Sequence, residues 1–330
     1  MREALGGFVH RLDEFQQRHD RLAFTVAVWK KFNDDQGGSL AALLAFFAFV
    51  SLFPLLLILT TVLAAVLRHN PGAQQRVLDS ALVDFPVIGE QIKTNLQGIG
   101  RNGTGLAVGI VGTVLGARGL ANAAQSALNR VWAVPYNRRP GFPFSWLRSY
   151  GMIAVLGLGV VATTAISAIG SWAPGGTFGI GVRAGILVLS LVLSVGVFWL
   201  GMRLATAREV AGRDMRVGAV LGAVIWQGLQ WGGGFVVGHQ LRHASSLYGV
   251  FGLVLGLIAW LYLQAQLTIY AVEIDVVRTR GLWPRSLFPP LTAEDERAYR
   301  SYTRTEERHP AEQATEEPQE LQKPQEPLST

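Results

Sequence analysis

Five stretches of the chain carry no charged side chain: residues 39–67, 149–182, 184–202, 217–241 and 243–272. About 20 consecutive apolar residues suffice to cross the hydrocarbon core of a bilayer, and each stretch is near that length or longer. A water-soluble fold would have to bury all five. Only 16% of the 330 residues are charged, too few to coat a soluble surface when half the residues are hydrophobic. The chain therefore reads as an all-α, polytopic membrane helix bundle.

Six transmembrane helices are expected. The first spans residues 39–67 and holds Pro54 near its middle, which predicts a kink because proline removes a backbone hydrogen bond, with Ser51 able to compensate. The second is read as one helix over 105–132, and the others over about 146–172, 182–206, 217–241 and 246–277. Three regions follow: a cytosolic or interfacial amphipathic segment at 1–38, the transmembrane domain at 39–280, and a cytosolic tail at 281–330. In the first, Leu5, Phe8, Val9, Leu12 and Phe15 fall at helical spacing, on an interfacial helix or one docked on the bundle. Trp29, Lys30 and Lys31 then form an aromatic and basic anchor. A second amphipathic helix is expected in the external segment 68–104, where Ile88, Ile92, Leu96 and Ile99 share a face. The tail is rich in Glu, Gln, Pro and Thr, buries too little apolar area to offset ordering entropy, and is read as disordered.

Charge placement sets the orientation. With the amino terminus inside, Lys30, Lys31, Arg130, Arg138, Arg139, Arg148, Arg203, Arg208, Arg213, Arg216, Arg278, Arg280 and Arg285 all fall on the inner side, whereas the two short outer connections receive only Arg183 and Arg242. This positive-inside bias places both ends in the cytoplasm. The net charge is +6, and the residues from 293 onward hold ten acidic and five basic side chains, leaving about +11 on the rest. Such an excess beside apolar spans suits anionic membrane lipids as partners rather than nucleic acid. The first 38 residues mix six basic with six acidic residues, unlike a signal peptide, so the first span is expected to direct insertion.

Polar groups within the spans are the functional leads, because a charge at the bilayer centre costs at least ~2.5 kcal/mol. Arg118, Asn122, Gln125 and Asn129 recur every three or four residues and form one stripe on the second helix. Arg118 has two readings: a snorkelling or helix-end arginine that holds the bundle together, or an arginine lining a polar cavity that attracts an anionic head group or solute. Tyr262, Gln266, Tyr270 and Glu273 make a second stripe on the sixth helix, and Gln227 and Gln230 share a face of the fifth. Convergent stripes would enclose a polar crevice fit for transport; the alternative is hydrogen bonding between neighbouring helices. Small-residue pairs such as Gly112 with Gly116, Gly181 with Gly185 and Gly218 with Gly222 permit close helix contact, within the chain or between copies.

Catalytic chemistry finds no signature. Glu273 and Asp275 are two apart on a helix and point to different sides, so ion pairs with neighbouring arginines are expected rather than an acid–base pair. His239 and His243 have the spacing of a zinc pair but lack the glutamate that follows the first histidine of a zincin, so no metal site is expected. Cysteine is absent, and no phosphate loop, nucleophile elbow or RNA-binding module is present. The chain is read as neither an enzyme nor a cofactor binder.

SLFPLLLIL in the first span, ALNRVW after the second and YGVFGLVLGLIAWLYLQAQLTIYAVEI in the last resemble the YihY/BrkB family of bacterial inner-membrane proteins, including its YhjD branch. The likeness covers about residues 25–280, and its most specific part runs from a tyrosine–glycine opening through WLYL to Glu273. The resemblance implies a six-helix bundle in the inner membrane and transport or flipping of a lipid-like envelope component. Three readings follow: a translocator with an anionic amphiphilic substrate, an envelope-integrity scaffold that assembles through its glycine faces, and the membrane-bound nuclease implied by an older family label, which lacks metal ligands and general bases.

Overall fold

The computed structural model describes residues 13–67, 104–171 and 177–305. The expected amphipathic residues at 5–12 and the whole external segment 68–103 lie outside them. The helices are α1 Asp20–Asp34, α2 Gly37–Leu67, α3 Thr104–Val131, α4 Phe144–Ser171, α5 Thr177–Ala205, α6 Arg216–Arg280 and α7 Ala293–Thr305, and no strand occurs among the described residues.

The sharp bend near the first span lies between α1 and α2. Gln36 takes a left-handed conformation at φ 57, and the first part of α2, Gly37–Leu52, leaves α1 at 63°. Glycine is required next to that turn, since a Cβ on Gly37 would run into the Phe32 ring. Pro54 lies inside α2, whose helical assignment continues to Leu67.

Two spans at 217–241 and 246–277 were expected with a short outer connection between them; the connecting residues are helical as well, so helical backbone covers all 65 residues of Arg216–Arg280. A straight helix of that length would extend about 98 Å, and partners 57 positions apart would sit about 85 Å from each other. Instead the Gly218 N–H donates to Asp275 at 2.8 Å. The chain therefore reverses within α6, and the two ends of α6 lie against each other.

Long helices meet at a common polar end. Lys31 of α1 donates to the Val131 carbonyl at the end of α3, Asn129 of α3 donates to the Ala205 carbonyl at the end of α5, and the start and finish of α6 join through Gly218 and Asp275. The described core includes this end, where Ala127, Val131, Ala205, Ala219, Ile269 and Val276 are buried in one cluster. Small side chains let these backbones approach: a Cβ on Gly119 would meet the Phe47 ring at 2.6 Å, and one on Gly116 would come 3.1 Å from Ser51. The outer faces are apolar and uncovered, as at Leu158, Val188, Val192 and Phe251. Two described segments, Gly181–Ala205 and Val254–Arg280, are long and apolar enough to cross a membrane, and a third if α1 and Gly37–Leu52 form one broken span.

The disorder expected from residue 281 is corrected for residues 281–305. Helix α6 stops at Gly281, in the left-handed conformation at φ 59 with its N–H on the Val277 carbonyl. The chain then returns across α1, and Arg285 and Asp295 are completely buried. Asp295 accepts from Lys30 Nζ, Arg285 Nε, the Ser286 N–H and hydroxyl, and Thr292. Composition weighs apolar area alone, whereas this segment is ordered by charge-assisted hydrogen bonds.

Candidate functional site

The stripe of α3 faces the start of α4 and the elbow before it. The Arg118 guanidinium lies 3.8 Å from the centre of the Trp146 ring, a cation–π contact, and its buried Nε makes no hydrogen bond. Two helical turns on, Gln125 Nε2 donates to Ser149 Oγ at 2.8 Å, and that hydroxyl is 3.1 Å from Asn122 Oδ1. Asn129 is bonded on both sides of its amide: Nδ2 donates to the Gln125 and Ala205 carbonyls, and Oδ1 accepts from the Ala207 N–H at 2.9 Å. It thereby satisfies groups left open where α5 ends.

Between these side chains and the elbow is a cleft of about 350 Å³, lined by Asn122, Gln125 and Asn129 on one side and by Tyr136, Arg139 and Ser145 on the other. Gln125 and Asn129 are buried at its floor, while Asn122 is exposed at its mouth. No acidic side chain lines it. Arg139 Nε donates to the Val134 carbonyl, which anchors its guanidinium at the rim. Both N–H groups of the Gln125 amide go to Ser149 and the Ser145 carbonyl and both of Asn129 go to carbonyls, so the surface presents the Asn122 amide and the Arg139 guanidinium to an oxyanion.

The stripe of the second α6 arm is directed elsewhere, toward α1 and the start of α2. Tyr270 stacks on Phe32 with ring centres 3.9 Å apart, and the Tyr262 hydroxyl approaches Gly38. Gln266 is half-buried between them in sequence. Glu273, expected to pair with an arginine, instead stands 3.6 Å from Lys31, which also binds Asp35 and the Val131 carbonyl. Lys31 and Glu273 are fully buried and Asp35 nearly so. Lys31 is thus no interfacial anchor: it faces inward with two carboxylates around it, while its neighbour Lys30 reaches Asp295 and Trp29 stays exposed. Asp275 follows the arginine expectation loosely, with Arg278 at 4.0 Å, and its side differs from that of Glu273 as the two-residue spacing requires. Gln227 and Gln230, on the first arm of α6, are half-buried and exposed and do not line the cleft. The structure therefore brings Asn122, Gln125 and Asn129 together and keeps Tyr262, Tyr270 and Glu273 apart from them.

Ser149, Trp146, Arg139 and Asp35 were missed. Lys31 and Asp35 are four apart, a detectable helical pair; Trp146, Arg139 and Ser149 gain meaning only from the fold of the elbow.

Comparison with known proteins adds the family. A family model described as virulence factor BrkB matches residues 28–287. The chain is 25% identical over 303 residues to a UPF0761 membrane protein of Photobacterium profundum, covering 88% of this chain and 90% of that protein. It is 22% identical over 277 residues to inner membrane protein YhjD of Escherichia coli, covering 77% and 80%. A UPF0761 membrane protein of Alcanivorax borkumensis is 24% identical over 257 residues, covering 76% of this chain, which spans 59% of that relative's length. No solved structure matches.

Proposed function

This chain belongs to the BrkB virulence-factor family of membrane proteins, and from that premise we propose that it is a six-span protein of the bacterial inner membrane that translocates an anionic, lipid-like envelope component. Both ends are cytoplasmic in this reading. The two arms of α6 count as separate crossings, because a rod of about 98 Å is some three times the thickness of the hydrocarbon core. No step of chemistry is assigned to the chain.

The observation that carries the proposal is the cleft beside α3. Within an apolar bundle it gathers the Asn122 amide and Arg139, has no acidic side chain among its described lining, and has Arg118 on the same stripe one turn from Asn122. Arg118 attracts the head group, and Glu273 with Lys31 tunes the packing of α1 against α6. Proteoliposomes holding the full chain and a head-labelled anionic lipid provide the test. Transfer between leaflets should exceed that of protein-free vesicles and fall in Arg118→Ala and Glu273→Gln; unchanged transfer in both variants would remove these roles.

A second reading, an envelope scaffold without transport, is favoured by the bonding of Asn129, since two of its three hydrogen bonds tie α3 to the end of α5. Self-association would then use open glycine faces such as Gly181 and Gly185, beside which a Cβ would meet nothing within 4 Å. For the nuclease reading, no cluster of histidine and carboxylate side chains that could hold a metal occurs among the described residues.

A further inference from the structure

The elbow between α3 and α4 combines side chains that water alone accommodates poorly. Phe142 is 78% exposed, Leu147 71% and Phe144 62%, and the same short segment carries Arg138, Arg139 and Arg148. Aromatic rings interleaved with arginines are the side chains that settle at the boundary between head groups and acyl chains. Beside that apolar rim opens the cleft, with Arg139, Tyr136 and the Asn122 amide at its mouth and Gln125 at its floor.

We propose that this cleft is the seat of a phospholipid head group: the phosphate of an anionic diacyl lipid lies against Arg139 and the Asn122 amide, and its acyl chains run over Phe142, Phe144 and Leu147. The inference rests on the proposed handling of an anionic amphiphile and adds the place and class of its head group. Three properties select this occupant. The volume of about 350 Å³ admits a glycerophosphate-sized group. The absence of a carboxylate from the lining favours an anion over a cation or a zwitterion's amine. The exposed apolar rim has a use for a lipid and none for free phosphate.

Native mass spectrometry of the full chain tests the proposal, with phosphatidylglycerol and phosphatidylcholine of the same acyl chains offered in turn and inorganic phosphate offered alone. Phosphatidylglycerol should be retained about tenfold over phosphatidylcholine, the scale of one charge-assisted hydrogen bond. Arg139→Ala should erase the preference, Arg139→Lys should keep part of it, and Phe142→Ala with Leu147→Ala should weaken retention of both lipids. Equal retention of the two lipids by the unaltered chain, or an unchanged preference in Arg139→Ala, overturns the proposal, as does binding of inorganic phosphate without lipid. A second measurement needs only one conservative variant, Trp146→Phe, to assign its signal: in the unaltered chain brominated phosphatidylglycerol should quench the part of the fluorescence that Trp146→Phe removes, and equal quenching by brominated phosphatidylcholine counts against the seat. Loss of leaflet transfer with lipid preference intact condemns translocation alone, whereas loss of preference with transfer intact condemns this seat alone.

Discussion

Gly218 and Asp275 belong to one helix and stand 57 positions apart, yet the Gly218 N–H donates to the Asp275 carboxylate at 2.8 Å. A side chain on Gly218 would collide with that carboxylate and come within 2.6 Å of the Ala271 carbonyl. Backbone cannot yield as a side-chain tip can, so Gly218→Ala should destabilise by about 1–3 kcal/mol, the usual cost of overpacking. Gly185→Ala, where a Cβ meets nothing within 4 Å, should leave the melting temperature in detergent unchanged. Equal shifts in the two variants would show that the arms of α6 do not pack at Gly218.

The reversal inside α6 also predicts labelling. The chain has no cysteine, so single cysteines can be introduced without removing others. If the arms cross separately, Ser245→Cys should react with an impermeant maleimide from outside intact cells, and Asn137→Cys only after the membrane is opened. Reaction of both from the same side refutes the six-span arrangement.

Lys31 sits between Asp35 and Glu273 with all three out of water. Lys31→Met leaves two carboxylates buried without their cation, and breaking a buried pair this way costs about 3–5 kcal/mol. Adding Glu273→Gln to Lys31→Met should recover part of the loss, since one stranded charge is then gone. Detergent unfolding midpoints of the two single variants and the double variant measure the coupling; strict additivity would mean that these groups do not interact.

Docking of α7 should depend on pH through Asp295. Burial pushes its carboxyl up, but hydrogen bonds from Lys30, Arg285 and Ser286 outweigh this and hold it below its usual value of 3.8. A depressed carboxyl contributes stability that is fully present above its unfolded value and is lost as pH falls below about 3.8 toward the folded value. Proteolysis of the segment after Gly281 by an acid-active protease should therefore stay slow at pH 5 and accelerate below pH 4. Asp295→Asn should be cleaved quickly at both, and a flat profile in the unaltered chain would contradict the docking.

Hydropathy and spacing made much of this legible. The all-helical class, the long apolar segments and the polar stripe of α3 were all readable, because helical period and lipid length act on local sequence. The partners of the stripe were not: that Asn122 and Gln125 meet Ser149, or that Arg118 lies on Trp146, depends on how the elbow returns the chain. Lys31 shows the limit from the other side. Its position before an apolar span suggested an interfacial anchor, and the bend at Gln36 turned it inward instead.

By itself the sequence determined that apolar helices dominate, which residues are polar within them, and where positive charge gathers, since each of these is a property of neighbouring residues. The tertiary structure alone decided that Asp295 orders a segment of poor apolar content, that Glu273 meets a lysine rather than an arginine, and that the two stripes serve different interfaces. The reason is physical: a charge is stabilised by whichever partner the fold brings within about 4 Å, and that partner can lie hundreds of residues away in the chain.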